Sequence, residues 1–192
     1  MELNKAIVGL IVFASTLFSG VIIGATYWEL TPENEVKESD NLYFTWLGCD
    51  SCLMIEQEID DSDYKTLPLI ARSDWRPAAK ILLALQLLAV ELELQQKFRQ
   101  LLLDKKLDPT DLSAMTAALV ELGVNKEDLD STLKSKELFT AVQRSQELAR
   151  YYQVKYVPTF IVNGKFATDA KSNKSIKKLK ATLATLQTKQ IK

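Results

Sequence analysis

No charged residue interrupts positions 6–28, an apolar run of about 23 residues that matches the roughly 20 a helix needs to span a bilayer. Positions 29–40 are polar and acidic around Pro32, the composition of an exposed linker. The pattern then changes to that of a buried strand in Leu42-Tyr43-Phe44-Thr45-Trp46-Leu47, rich in aromatic residues and ended by Gly48. Residues 49–60 interleave Leu53, Met54, Ile55 and Ile59 with Glu56, Gln57 and Glu58, which predicts a helix whose N-terminus holds Cys49 and Cys52. A second strand is expected at 67–71, where Pro68 cannot donate a ladder hydrogen bond.

The middle third has a helical period. Pro77 fits a first turn, and Ile81, Leu82, Leu85, Leu88, Val90 and Leu92 continue as one run into Phe98 and Leu102. Pro109 interrupts it, and Asp108 or Thr110 is the expected cap of a helix bearing Leu112, Met115, Leu119 and Leu122 and closed by Gly123. Further helices are predicted at 125–134 and 137–152. Asn163-Gly164 between 159–162 and 165–167 predicts a hairpin, because that pair supplies the positive φ angles of a two-residue turn. A last helix is expected at 172–190, with Ile176, Leu179, Leu183 and Leu186 on one face and lysines opposite, the lysines a solvated face or a contact for anionic lipid.

Composition narrows the chemistry. With 192 residues, 47% hydrophobic and 26% charged, the chain fits one compact domain with some extra length. A net charge of -1 supplies no positive field, so nucleic acid is not an expected partner. The sequence has no histidine, which removes Ser-His and Cys-His dyads and every zinc site that needs imidazole. Lys5 precedes the apolar run and Glu29, Glu33, Glu35, Glu38 and Asp40 follow it, so the N-terminus is expected inside and the domain exported. A cleaved secretory signal is the rival, but it wants a shorter apolar region of about 7–15 residues and an Ala-x-Ala-like site, which is not evident here.

Cys49 and Cys52 are the only cysteines, two residues apart at a predicted helix start. Unpaired N–H groups and the positive end of the helix dipole would stabilise a Cys49 thiolate, and Cys52, one turn later, could resolve a mixed disulfide. A metal site would want four ligands where this chain offers two thiols. A purely structural bridge closing so short a loop would stabilise little by chain entropy. No cofactor beyond this dithiol pair, and no metal, is expected.

A second motif makes a family resemblance specific. The stretch Tyr151-Tyr152-Gln153-Val154-Lys155-Tyr156-Val157-Pro158-Thr159-Phe160-Ile161-Val162-Asn163-Gly164 resembles the DsbA-type segment in which a Val-Pro peptide, cis in that family, faces the disulfide. Trp75-Arg76-Pro77-Ala78-Ala79, Leu122-Gly123-Val124 and Leu148-Ala149 resemble the same family's helical insertion. The match runs in order from about Leu42 to Phe166. It implies an α/β, thioredoxin-like fold at 41–192 with an inserted helical subdomain at about 76–152, and the apolar and charge pattern places before it a cytoplasmic N-terminus at 1–5, a transmembrane signal anchor at 6–28 and a linker at 29–40.

The resemblance also implies Cys49 as attacking thiol, Cys52 as resolving thiol, and Val157, Pro158 and Thr159 as a groove for an extended client segment. Client proteins with thiols or disulfides and a DsbB-like or DsbD-like membrane redox partner would follow, with the domain held at the inner membrane and facing the periplasm. The competing function is a redox-inert binding or chaperone module that uses the Pro158 groove.

Departures bear on redox strength. Asp50 and Ser51, the expected modulators, stand where oxidising relatives usually carry Pro-His. Asp50, at roughly 7 Å and an effective dielectric of 40–80, would disfavour the thiolate by about 0.6–1.2 kcal/mol, pointing to a weaker oxidant. The strand before Gly48 carries Tyr43 and Thr45 and no carboxylate, where relatives often bury an acid that relays protons. Tyr43, Trp46 and Trp75 are expected in the core, and Glu56 and Glu58 on a solvated helix face.

Overall fold

The structure, a computed structural model, describes residues 26–30, 41–59 and 63–189. Within them the strands are β1 (Tyr27–Glu29), β2 (Leu42–Thr45), β3 (Lys65–Pro68), β4 (Thr159–Val162) and β5 (Phe166–Asp169). They form one mixed sheet in the order β1-β5-β4-β2-β3. Only β2 and β3 run parallel, joined by α1 (Asp50–Glu58); the other pairings are antiparallel.

Alternation along the strands divides the core in two. Leu42, Phe44, Ile161 and Ala167 face Leu148 and Tyr152 of α6 (Lys136–Tyr151) and its C-cap. Tyr43, Phe160, Val162 and Phe166 face α1 and α8 (Ile176–Thr188), which contributes Leu179, Leu183 and Leu186. Between β3 and β4 the insertion comprises α2 (Arg76–Leu87), α3 (Leu92–Leu103), α4 (Leu112–Glu121), α5 (Lys126–Leu133) and α6. It has a core of its own around Phe98, Met115, Leu119 and Leu129.

Local signals account for much of this. Asn125 and Ser135 accept hydrogen bonds from Asp128 N and Leu138 N as caps of α5 and α6. Gly123 takes φ +107 just past α4. Asn163 and Gly164 take φ +54 and +64, so the predicted hairpin turn forms as the Asn-Gly pair demands.

The structure also differs from the sequence expectations at several points. The run across 78–102 is broken: Ala89 takes φ +48, Val90 N donates to Leu85 O, and α3 starts afresh. Leu88, Val90 and Leu94 still pack on the insertion core, which is why the apolar period carries on across the break. The cap of α4 is Asp111, because the Asp108 carboxylate is taken by the backbone and hydroxyl of Thr110. β3 lies two residues earlier than expected; Pro68 is tolerated at the end of an edge strand, where its carbonyl accepts from Ser145.

The last helix is two. α7 (Ala170–Asn173) ends at Lys174 with φ +62, and Ser175 caps α8. Asn173 is withdrawn into the core, bonding Thr168, the Asp169 carbonyl and Thr182. At the other end of the chain, Tyr27–Glu29 is a strand paired with β5, so the expected membrane span and linker give way there to part of the sheet. The rest of the span, 6–25, and most of the linker, 31–40, lie outside the described residues. Among the described residues no helix is long and apolar enough to cross a membrane.

Candidate active site

β2 ends at Thr45, and the chain turns through Trp46, Leu47 and Gly48 into α1. Gly48 is required by crowding: a Cβ there would lie 2.4 Å from the Trp46 ring and 2.7 Å from Pro109. Trp46 in turn stacks on Trp75, their centroids 4.2 Å apart, so the insertion closes on this junction from two directions. Both indoles are half-buried at the boundary between the junction and the insertion rather than within the core.

Cys49 is the N-cap of α1 and is joined to Cys52 by a disulfide. Its sulfur accepts from the Cys52 N–H at 3.1 Å and lies 3.3 Å from the Ser51 hydroxyl. Cys49 is half-exposed and Cys52 fully buried. Of the two sulfur-bearing residues, Cys49 is therefore the one open to solvent. Both donors that surround Sγ of Cys49 would also stabilise it as a thiolate.

Val157-Pro158 is cis, as the resemblance implies. Thr159 pairs with Phe44, which sets Val157 and Pro158 just beyond the last β2–β4 pair, at the sheet end where β2 leads to Cys49. The structure thus gathers the two predicted segments at one edge. Pro158 and Thr159 are buried, and the Thr159 hydroxyl donates to the Tyr156 carbonyl, leaving half-buried Val157 as the accessible member.

Two ion pairs connect α1 to the insertion, and neither was legible in the sequence. Lys105, just past α3, binds the Asp50 carboxylate at the helix start. Arg99, on α3, binds Glu56, which also accepts from the Thr45 hydroxyl at 2.8 Å. Glu56 is not on a solvated face: its side chain is 9% exposed and that of Arg99 19%, beside a groove of about 490 Å³ that also reaches Gln95 and Gln100. Glu58 is exposed, as expected.

A carboxylate does therefore reach the neighbourhood below the cysteines, from the helix rather than the strand. Tyr43 fills the strand position, its hydroxyl donating to the Cys52 carbonyl at 3.5 Å. Burial, with the Glu56 charge second, pushes its phenol well above its ordinary range.

A strand-to-helix CxxC disulfide on a mixed five-stranded sheet, with helices inserted between β3 and β4, defines a thioredoxin-like exchanger of thiols and disulfides. The chain belongs to the family of the DSBA-like thioredoxin domain, whose model matches residues 64–183, beyond the cysteines themselves. It is similar to the thiol:disulfide interchange protein DsbA of Pseudomonas syringae pv. tomato, 27% identical over 160 residues that cover 78% of this chain and 75% of that one. The DsbA of Azotobacter vinelandii is 24% identical over 193 residues, covering 88% and 90%. The crystal structure of Pseudomonas aeruginosa DsbA superposes with a TM-score of 0.71 at 24% identity, covering 84% of this chain and 90% of that one. Family, fold and disulfide together make the chain a DsbA-like thiol:disulfide oxidoreductase.

Proposed function

We propose that the chain exchanges disulfides with protein clients outside the cytoplasm, through a mixed disulfide at Cys49, while the apolar run that precedes β1 holds it at the inner membrane with its domain facing the periplasm. The half-exposed Cys49 sulfur, bonded to a buried Cys52 at the helix N-terminus, carries this reading. A client thiolate attacks Sγ of Cys49; the Cys49–Cys52 bond breaks and Cys52 leaves with the electron pair. A second client thiol then attacks the client sulfur of the mixed disulfide and releases Cys49. Two electrons pass from client to protein, and the reverse sequence reduces a client disulfide.

The client segment lies against Val157 and Pro158, where extended backbone at a sheet end suits strand-like pairing. Turnover needs a membrane partner: DsbB-like to withdraw electrons when clients are oxidised, DsbD-like to supply them when clients are reduced. Tethering keeps such a partner at high effective concentration.

With Asp50-Ser51 between the cysteines and no histidine, the pair is a weaker oxidant than typical DsbA. A Cys52→Ser variant should trap a mixed disulfide with a disulfide-bonded peptide, its Cys49 thiolate attacking the peptide disulfide and releasing the other peptide sulfur as a thiol, and Cys49→Ser should abolish exchange. Full exchange by Cys49→Ser would overturn the assignment, and a reduction potential near about -120 mV would overturn the weaker-oxidant part.

A further inference from the structure

Asp50 sits beside the attacking thiol, and alone its charge would oppose the thiolate. The structure does not leave it alone. The Lys105 ammonium reaches across from the corner between α3 and α4 to bind Oδ1 of Asp50. The same corner brings Pro109 against Gly48, so its seat on the motif is fixed by packing as well as by charge.

Nothing in the local backbone asks for a lysine at 105. The residue follows the C-cap of α3 with φ +56, and Lys105 N and Lys106 N donate back to Leu102 O and Leu101 O. This left-handed closing position is one where glycine is the comfortable residue. The neighbouring charges are already matched, since Asp104 is held by Lys106 and Gln100, and Arg99 by Glu56. On the far side of the motif, Lys174 lines a small hollow that includes Ser51.

We propose that Lys105 is a positioning residue for Cys49 that sets the reactivity of the thiol from the helical insertion, by binding Asp50 and cancelling its field at the sulfur. It performs from a distance the charge compensation that the Asp50-Ser51 dipeptide cannot perform itself. This rests on the oxidoreductase reading above and adds to it the residue that tunes the pair. Without Lys105, an unpaired Asp50 close to the sulfur lowers the Cys49 thiolate population by about threefold at neutral pH. A less stable thiolate disfavours the dithiol, so the equilibrium shifts toward the disulfide and the pair becomes more reducing.

The test uses the full chain and four variants: Lys105→Gly, which suits the left-handed backbone and preserves the fold, Lys105→Arg, Asp50→Asn, and Asp50→Asn with Lys105→Gly. Thiolate absorbance against pH and the equilibrium with glutathione are both read at low salt. In Lys105→Gly the thiolate should form about half a pH unit later, and the equilibrium should move about threefold toward the disulfide. Lys105→Arg should match the parent, and Asp50→Asn should move both readouts the other way. With both charges gone, Asp50→Asn with Lys105→Gly should bring both readouts back close to the parent, and about 1 M salt should erase the difference between Lys105→Gly and the parent.

Unchanged readouts in Lys105→Gly would overturn the proposal, as would a double variant whose readouts stay displaced as far from the parent as those of Lys105→Gly alone. A parent protein whose Cys52→Ser form traps no mixed disulfide would instead overturn the oxidoreductase reading, so the two failures are told apart.

Discussion

Two ion pairs join the same two parts of the molecule, and they differ in little except depth. Asp50–Lys105 and Glu56–Arg99 both run from α1 to the end of α3, yet the first pair has side chains 54% and 65% exposed and the second 9% and 19%. In water-rich surroundings an ion pair contributes little to stability, while its charges still act on a neighbouring sulfur. Out of water, each charge depends on its partner, and losing one leaves the other uncompensated. One pair is thus suited to tuning and the other to holding α1 against the insertion.

The comparison breaks most visibly at Arg99. Arg99→Leu leaves the Glu56 carboxylate without its cation, and unfolding in urea should show a loss of about 3–5 kcal/mol. Glu56→Gln with Arg99→Leu should recover most of it; no recovery would mean that burial of charge is not what the pair is about. Next comes Gly48→Ala, which drives a methyl into the Trp46 ring and Pro109 and should cost about 1–3 kcal/mol. The corner carrying Lys105 is held by that packing, so salt should leave this loss unchanged.

The alkaline limb offers a finer test of the buried side. Burial pushes the Tyr64 phenol up to about 12, and that of Tyr43 is raised well above its ordinary range, first by burial and then by Glu56. Unfolded tyrosine releases its proton near pH 10, roughly the reference value, so the folded state binds the extra proton above that pH. Stability is full below about pH 10 and falls as pH rises toward 12, by on the order of 2 kcal/mol for buried Tyr64. Tyr64→Phe should flatten the fall in urea midpoint between those values. The smallest effect belongs to the exposed pair: Asp50→Asn should change stability by no more than about 0.5 kcal/mol in the same assay.

What the sequence made legible was local. Asn163-Gly164 carries its turn in its own φ preferences, and Asn125 and Ser135 mark helix starts by what their side chains can accept. The cysteine pair was visible because both thiols lie within one helical turn. Lys105 and Arg99 find partners 55 and 43 residues away, and no spacing rule reaches that far. Glu56 looked solvated for the same reason, since what covers it comes from α3. Tyr27 and Trp28 continued an apolar run and so read as its end, while their pairing with β5 depends on residues almost at the other end of the chain.

That last pairing has a bearing on how the molecule comes together. The Thr26 carbonyl accepts from the Thr168 hydroxyl and from Asn173, 142 and 147 residues further on. A chain made from its N-terminus produces β1 early and gives it no neighbour until β5 has emerged; β2 can meet β3 at once but waits for β4 on its other side. Closing loops of that length is slow, and strands with open edges are open to wrong pairings meanwhile. The sheet's assembly is therefore governed by the arrival of the final hairpin, and a translational pause placed after α6 should prolong its vulnerable interval more than one placed anywhere within the insertion.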